Sequence, residues 1–174
     1  MSASFIIRFH TERIENLAQM LRFMALWHKE TIKNCELITV CQNKLMTPLC
    51  TEDWGIHRNF DLDLKEMMLA RVTNFGVKQA NHEKIIILDS DRIFPTGYFS
   101  AVIDQMQQGV QITTQKMKKL KKDHTDSEVI NEQFEFDWDN RSEDFGTRNM
   151  WSGNTALMKS DFLKVGGMDE SYIG

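Results

Sequence analysis

A chain of 174 residues, 41% of them hydrophobic, is long enough to bury one substantial core and predicts a single domain. Its formal net charge of −4 speaks against a nucleic-acid binder that works by neutralising phosphates, and the three cysteines, Cys35, Cys41 and Cys50, form neither a CxxC pair nor a disulfide framework, which favours a reducing compartment. No window approaches the roughly 20 apolar residues that span a bilayer, and no signal-peptide pattern opens the chain, so the expected location is cytoplasmic, with the inner face of a membrane as a peripheral site.

Ser4-Phe5-Ile6-Ile7-Arg8-Phe9 is a β-branched and aromatic run that predicts a strand. Thr11 then offers a helix cap and Glu12 an acidic first turn. From Ile14, the apolar residues Leu17, Leu21, Met24 and Ala25 recur at helical spacing and predict one helix reaching about Thr31. Glu36 to Cys41 reads as a second strand, which makes the opening unit βαβ with a right-handed crossover.

Lys44 to Asp61 has no clear period and contains Pro48 and Gly55, so a loop is expected, with a short strand from Ile56 to Arg58. Leu64, Met68, Val72 and Phe75 repeat near helical spacing. Lys84-Ile85-Ile86-Ile87-Leu88 is a continuous apolar run of the kind buried on both faces of a sheet, and predicts a central parallel strand. A helix is expected from Pro95 through Gln107, ended by Gly109, and a strand from Val110 to Thr114.

The lysines at 116, 118, 119, 121 and 122, followed by an acidic stretch to Asp144, predict an excursion from the sheet over 115–149; a solvated face explains the charges more simply than a membrane or acceptor contact. Asn154 to Met158 then reads as a strand. Ser160 is the expected cap of a short helix to about Val165, and Gly166-Gly167 its terminator. Strands alternating with helices predict an α/β fold with a mostly parallel sheet.

Ligands of open α/β sheets bind outside the carboxyl ends of the strands, where Asp89-Ser90-Asp91 stands. Carboxylates two apart at such a turn can approach one hard cation, magnesium or manganese, and the cation can bridge the oxygens of a diphosphate. A bare DxD is common by chance, so spacing alone favours an ordinary turn or helix-cap pair. His28, His57, His82 and His124 show no metal-ligand spacing.

The wider run resembles the GT-A glycosyltransferases. Phe5 to Arg13 is similar to their first strand and nucleotide-contacting loop. Ala70-Arg71-Val72-Thr73-Asn74-Phe75-Gly76 resembles the Arg and Asn-x-Gly helix segment before the metal strand, and Ile85 to Asp91 resembles the strand and its DxD. Trp151-Ser152-Gly153-Asn154-Thr155-Ala156-Leu157-Met158, with Val165-Gly166-Gly167-Met168-Asp169-Glu170, resembles the acceptor-side segment of family 2 enzymes and of galactosyltransferase-type C-terminal regions.

The resemblance implies a GT-A, Rossmann-like sheet flanked by helices, with donor binding over 1–114 and an acceptor-side segment over 150–174. It implies a metal-dependent transfer of a hexosyl group from a nucleotide-diphosphate donor, UDP-linked, to the hydroxyl of a carbohydrate or glycoconjugate, with inversion, as in polysaccharide biosynthesis. It assigns the cation, Mn2+ or Mg2+, to Asp89 and Asp91. The nucleotide-sugar falls to Arg8, Phe9, His10, Arg13, Arg71, Asn74, Asp89, Ser90 and Asp91, with Asn43 at the second strand exit, where amides replace the family's usual acid. Trp151, Ser152, Gly153, Asn154, Gly166 and Gly167 fall on the acceptor and sugar side.

The family continues from its Gly-Gly-x-Asp-Glu segment into a Trp-Gly-x-Glu-Asp type motif that supplies the catalytic base, whereas this sequence stops at Gly174. A piece of a longer enzyme or a short version lacking that base is therefore expected. Asp169 and Glu170 are the nearest carboxylates, and structural roles suit them better. A nucleotidyltransferase of similar topology and a non-catalytic nucleotide-sugar-binding fragment are the competing readings. Arg8 to Arg13 contains no glycine, which disfavours the former.

Overall fold

The structure is a computed structural model that describes residues 2–43, 52–64, 68–113, 118–120, 142–144 and 154–171. In chain order the elements are β1 (Ser4–Phe9), a 3-10 turn (Thr11–Arg13), α1 (Ile14–Trp27), α2 (Lys29–Ile32), β2 (Glu36–Cys41) and β3 (Ile56–Asp61). There follow α3 (Leu69–Gln79), β4 (Lys84–Asp89), α4 (Tyr98–Gln105), β5 (Ile112–Thr113), β6 (Lys118–Leu120), β7 (Ser142–Asp144), β8 (Thr155–Met158) and α5 (Lys159–Lys164). Two compact units result, Met1–Ile112 with Gly153–Gly174, and Thr113–Ser152. In the second, β6 and β7 pair antiparallel with Lys119 opposite Glu143.

The six-stranded sheet runs β3-β2-β1-β4-β8-β5. β3, β2, β1 and β4 are parallel neighbours, and β8 joins β4 antiparallel, so the sheet is mostly parallel with β4 inside it. Strand alternation sorts the apolar residues between two layers of helices. Phe5, Ile7, Phe9, Leu37, Ile86 and Leu88 cluster with Leu17, Met20, Leu21 and Met24 of α1 and with Phe99, Val102 and Ile103 of α4. Ile6, Ile38, Val40, Ile85 and Ile87 cluster instead with Val72 and Val77 of α3 and Phe162 of α5. A Cβ on Gly76 would lie 2.5 Å from Ile6 Cγ2 and 3.2 Å from Val40 Cγ2, so α3 approaches β1 and β2 as closely as glycine permits.

Several boundaries differ from the sequence-based ones. The expected helix to Thr31 breaks at His28, whose ring packs edge-on to Phe99 at 4.7 Å and whose Nε2 lies 3.1 Å from Phe94 O. Burial lowers the pKa of His28, opposed in part by the Phe94 carbonyl. β3 continues to Asp61 because Thr39 of β2 supplies a polar partner, its hydroxyl donating to Asn59 Oδ1 at 2.8 Å. α3 starts at Leu69 and lasts through Gln79, later than the Leu64–Phe75 period suggests. His10 rather than Thr11 caps the first turn, its Nδ1 accepting from the Glu12 N–H at 3.3 Å. Met158, extended at the end of β8, takes the cap position expected of Ser160, which lies inside α5. α4 closes at Gln105, and Gly109, with φ +74°, turns the chain beyond it.

At the end of the sheet where β1 and β2 begin, Glu36 is wholly buried. It accepts from the Ser4 hydroxyl (2.6 Å), the Asn81 N–H (2.9 Å), Asn81 Nδ2 (2.8 Å) and Arg58 Nη2 (2.5 Å). Four donors satisfy a carboxylate that burial alone would force to take a proton.

Candidate functional site

The parity that sends Ile6, Ile85 and Ile87 toward α3 also sends Arg8 and Asp89 there, and the two are register partners on adjacent strands. Arg8 Nη2 donates to Asp89 Oδ1 at 3.1 Å, and its Nη1 donates to the Thr73 hydroxyl at 2.8 Å. Thr73 in turn donates to Leu69 O at 2.7 Å, back-bonding within α3. The Arg8 side chain is 7% exposed and that of Asp89 is 28% exposed, so the pair is anchored inside and opens outward at the acid. Arg8 Nε is buried with no hydrogen-bond partner among the described residues.

A cavity of about 460 Å³ opens at these strand exits, lined by Arg8, Phe9, His10, Glu12 and Arg13 after β1, Asp89, Ser90, Asp91 and Arg92 after β4, Gln42 after β2, and Leu69 and Val72 of α3. Arg13 Nη1 donates to Asp91 Oδ2 at 3.2 Å. Arg92 straddles both acids, with Nη2 3.5 Å from Asp89 Oδ2 and Nε 3.4 Å from Asp91 Oδ1. Three guanidinium groups thus face the two aspartates, and the mostly exposed Glu12 brings the lining to three cationic and three anionic side chains.

The sequence-derived candidates divide by position. Arg8, Phe9, His10, Arg13, Asp89, Ser90 and Asp91 share the cavity. Arg71 is exposed and Asn74 buried, and neither lines it, because the 3.6-residue helical period presents Leu69 and Val72 to the cavity and turns Arg71 and Asn74 elsewhere. At the β2 exit Gln42, not Asn43, lines the wall. Asn154, buried just before β8, accepts from the Asp89 N–H through Oδ1 at 3.3 Å and so braces the end of β4. Trp151, Ser152 and Gly153 lie outside the described residues. The sequence does not point to Arg92 or Thr73 as site residues, whereas Gln42 belongs to the amide pair expected at the second strand exit. Of the first two only Arg92 carries a signal, as a cation directly after Asp91.

Asn74 serves a different segment. Its Nδ2 donates to Met168 O (2.8 Å) and Glu170 Oε1 (2.9 Å), and its Oδ1 accepts from the Met168 N–H (2.8 Å). Gly166 and Gly167, at φ +85° and +80°, end α5 and deliver the chain to this clamp. A Cβ on Gly167 would stand 2.7 Å from Asn74 Oδ1, which restricts the position to glycine on both conformation and space. Asp169 Oδ1 accepts from the Ser171 N–H (2.9 Å) and hydroxyl (2.7 Å), which lower its pKa. Neither Asp169 nor Glu170 lines the cavity. Asn74→Ala leaves the Met168 N–H and C=O without their partner. We expect amide exchange in 166–171 to quicken by at least about tenfold, the scale of 1.4 kcal/mol, while exchange at β1 and β4 stays unchanged. Equal protection of 166–171 in both proteins would refute the clamp.

Asp89 and Asp91 offer hard oxygen donors suited to magnesium or manganese. Among the described residues no group of three or more His, Cys, Asp and Glu could hold a metal unaided. The donor set therefore fits a cation completed by substrate oxygens and water, the usual habit of Mg2+ beside phosphates. No helix among the described residues is long and apolar enough to cross a membrane.

No family model matches the sequence, and no curated protein matches it. Solved structures do match. GalNAc-T7, crystallised with UDP, GalNAc and Mn2+, superposes with TM-score 0.59 at 11% identity, over 98% of this chain and 37% of that one. S. aureus TarS 1–349 in complex with UDP gives TM-score 0.56 at 13% identity over 100% and 52% of the two chains. The apo glycosyltransferase GlyE of Streptococcus pneumoniae TIGR4 gives 0.51 at 9% over 95% and 36%. The chain has a GT-A-like glycosyltransferase fold. It spans from about a third to about a half of the length of these relatives.

Proposed function

We propose that this chain is the donor-binding portion of a metal-dependent glycosyltransferase that uses a nucleoside-diphosphate sugar, UDP-linked, and delivers the sugar with inversion to a carbohydrate hydroxyl. The observation that carries the reading is the Arg8, Asp89, Asp91, Arg13 and Arg92 constellation at the exits of two adjacent parallel strands, inside a cavity. Relatives of this fold were crystallised with UDP, one of them with Mn2+ as well.

Asp89 and Asp91 would hold the cation together with diphosphate oxygens. Bound there, it would neutralise charge growing on the leaving phosphate. Arg8, fixed by Thr73, keeps one cationic group in the cavity wall, and Arg13 and Arg92, which line the same cavity, would contact phosphate oxygens. Phe9, Val72 and Leu69 give apolar wall for a base or sugar face, and Gln42 offers an amide. Ser90 carries the turn between the two acids.

Among the described residues the carboxylates of the cavity are Asp89, Asp91 and the exposed Glu12. Asp169 and Glu170 are occupied by the turn beside Asn74, which favours donor binding over complete transfer by these residues alone. The acceptor-side role of Trp151, Ser152, Gly153, Asn154, Gly166 and Gly167 belongs to the same proposal.

Calorimetric titration with UDP in manganese tests it. Asp91→Ala, altering a partly exposed acid, should fold normally and lose at least about tenfold in affinity, the worth of one charge-assisted contact. No UDP binding by the unaltered chain, with or without manganese, sinks the reading. Pyrophosphate release from a nucleoside triphosphate would favour a nucleotidyltransferase instead.

A further inference from the structure

Each of the four carboxylate oxygens of Asp89 and Asp91 has a guanidinium neighbour. Arg8 takes Asp89 Oδ1, Arg92 takes Asp89 Oδ2 and Asp91 Oδ1, and Arg13 takes Asp91 Oδ2, all within 3.1–3.5 Å. A divalent cation approaching these acids must displace guanidinium groups and comes close to three cationic side chains. An arriving diphosphate reverses both terms, because it brings negative charge and gives guanidinium groups a planar, bidentate alternative partner.

The three arginines are not equivalent. Arg8 is nearly enclosed and tied to Thr73, whereas the Arg13 side chain is 58% exposed and that of Arg92, which follows Asp91 outside any helix or strand, is 24% exposed. Arg13 and Arg92 can exchange partners while Arg8 stays.

We propose that Arg92 and Arg13 form a charge latch on Asp89 and Asp91, so that the site accepts a divalent cation only together with a diphosphate. The proposal rests on the donor-binding reading above and adds an order of events to it. Cation and diphosphate strengthen one another's binding, and the coupling is the same measured from either side. Arg92 is then a positioning residue for the acids when the site is empty of phosphate and a phosphate ligand when it is full.

The test is a set of titrations on the intact chain: Mn2+ alone, followed by the electron-spin-resonance signal of free Mn2+; UDP alone in chelator; and each in the presence of the other. UDP should raise Mn2+ affinity by about tenfold or more, and Mn2+ should raise UDP affinity by the same factor. In Arg92→Gln, Mn2+ alone should bind about tenfold more tightly than in the unaltered chain, UDP alone more weakly, and the coupling should shrink. Arg13→Gln, at a more exposed side chain, should shift all three in the same directions and keeps the test open if Arg92→Gln does not fold. Mn2+ binding that is equally tight with and without UDP overturns the latch while leaving donor binding intact. So does failure of either folded variant to strengthen binding of Mn2+ alone. Absence of UDP binding under every condition overturns the donor reading and the latch together.

Discussion

Arg8→Met is expected to weaken UDP binding in manganese by about 10- to 100-fold, the worth of a charge-assisted hydrogen bond of about 1.5–3 kcal/mol. Methionine preserves most of the buried stem and removes only the guanidinium, so the loss reports charge more than packing. Three changes follow at once: the cavity wall loses one cation, Thr73 loses a donor, and Asp89 keeps only Arg92. Asp89 is partly open to water, which limits the accompanying destabilisation to about 1–2 kcal/mol, well below the cost of stranding a fully buried acid. Calorimetry with UDP and urea unfolding measure the two separately. UDP affinity within twofold of the unaltered chain, in a protein that still unfolds cooperatively, would remove Arg8 from the donor site.

Glu36→Ala should cost about 3 kcal/mol and lower Tm by roughly 10 °C, without touching the cavity. The side chain is wholly buried, and its removal strands the Ser4 hydroxyl, the Asn81 N–H and amide, and one hand of Arg58. Arg58 is about a third exposed and retains some hydration, which keeps the loss at the low end for a broken buried pair. Glu36→Gln keeps the volume but turns an amide donor toward donors, for a loss of about 2 kcal/mol.

Burial works to raise the Glu36 pKa, yet the hydrogen bonds from Asn81, Ser4 and Arg58, with the charge of Arg58, bring it below its ordinary 4.5. The unfolded chain therefore takes up this proton at higher pH than the folded one. The stabilisation is fully present above 4.5 and drains away as pH falls toward and through the lowered folded value. Glu36→Gln should remove this part of the acid sensitivity. Urea midpoints from pH 7 to pH 3 that run parallel for the two proteins would show that Glu36 contributes none of it.

What could be read in advance follows burial. β1, β2 and β4 are interior strands enclosed on both faces, so β4 announces itself as a continuous apolar run and β1 and β2 as β-branched and apolar segments interrupted only by Arg8 and Thr39 between their ends. β3 is an edge strand whose polar residues are satisfied from outside it, Asn59 by Thr39 and Arg58 by Glu36, contacts no local period encodes. His28 breaks the first helix because of Phe94 and Phe99, which lie far along the chain. The acids of the site are visible from their place after β4, whereas their pairing with Arg8 and Arg13 spans 81 and 78 positions of sequence. Asn74 shows the opposite failure. A resemblance pointed to the donor, and its actual hydrogen bonds reach Met168 and Glu170, a segment 94 and 96 positions away.

Arg8 and Asp89 are aligned neighbours on parallel strands, and that alignment makes their ion pair a check on assembly. If β4 slipped by one residue, its side chains would change faces and the acid would point toward α1 and α4. A slip by two would restore the face but displace the acid by about 7 Å, out of reach of the guanidinium. The charges at the strand exits are therefore a proofreading device for sheet formation. A misaligned β1–β4 pair buries an unmatched arginine as well as losing the cavity, so folding errors and loss of the site are penalised by the same two residues.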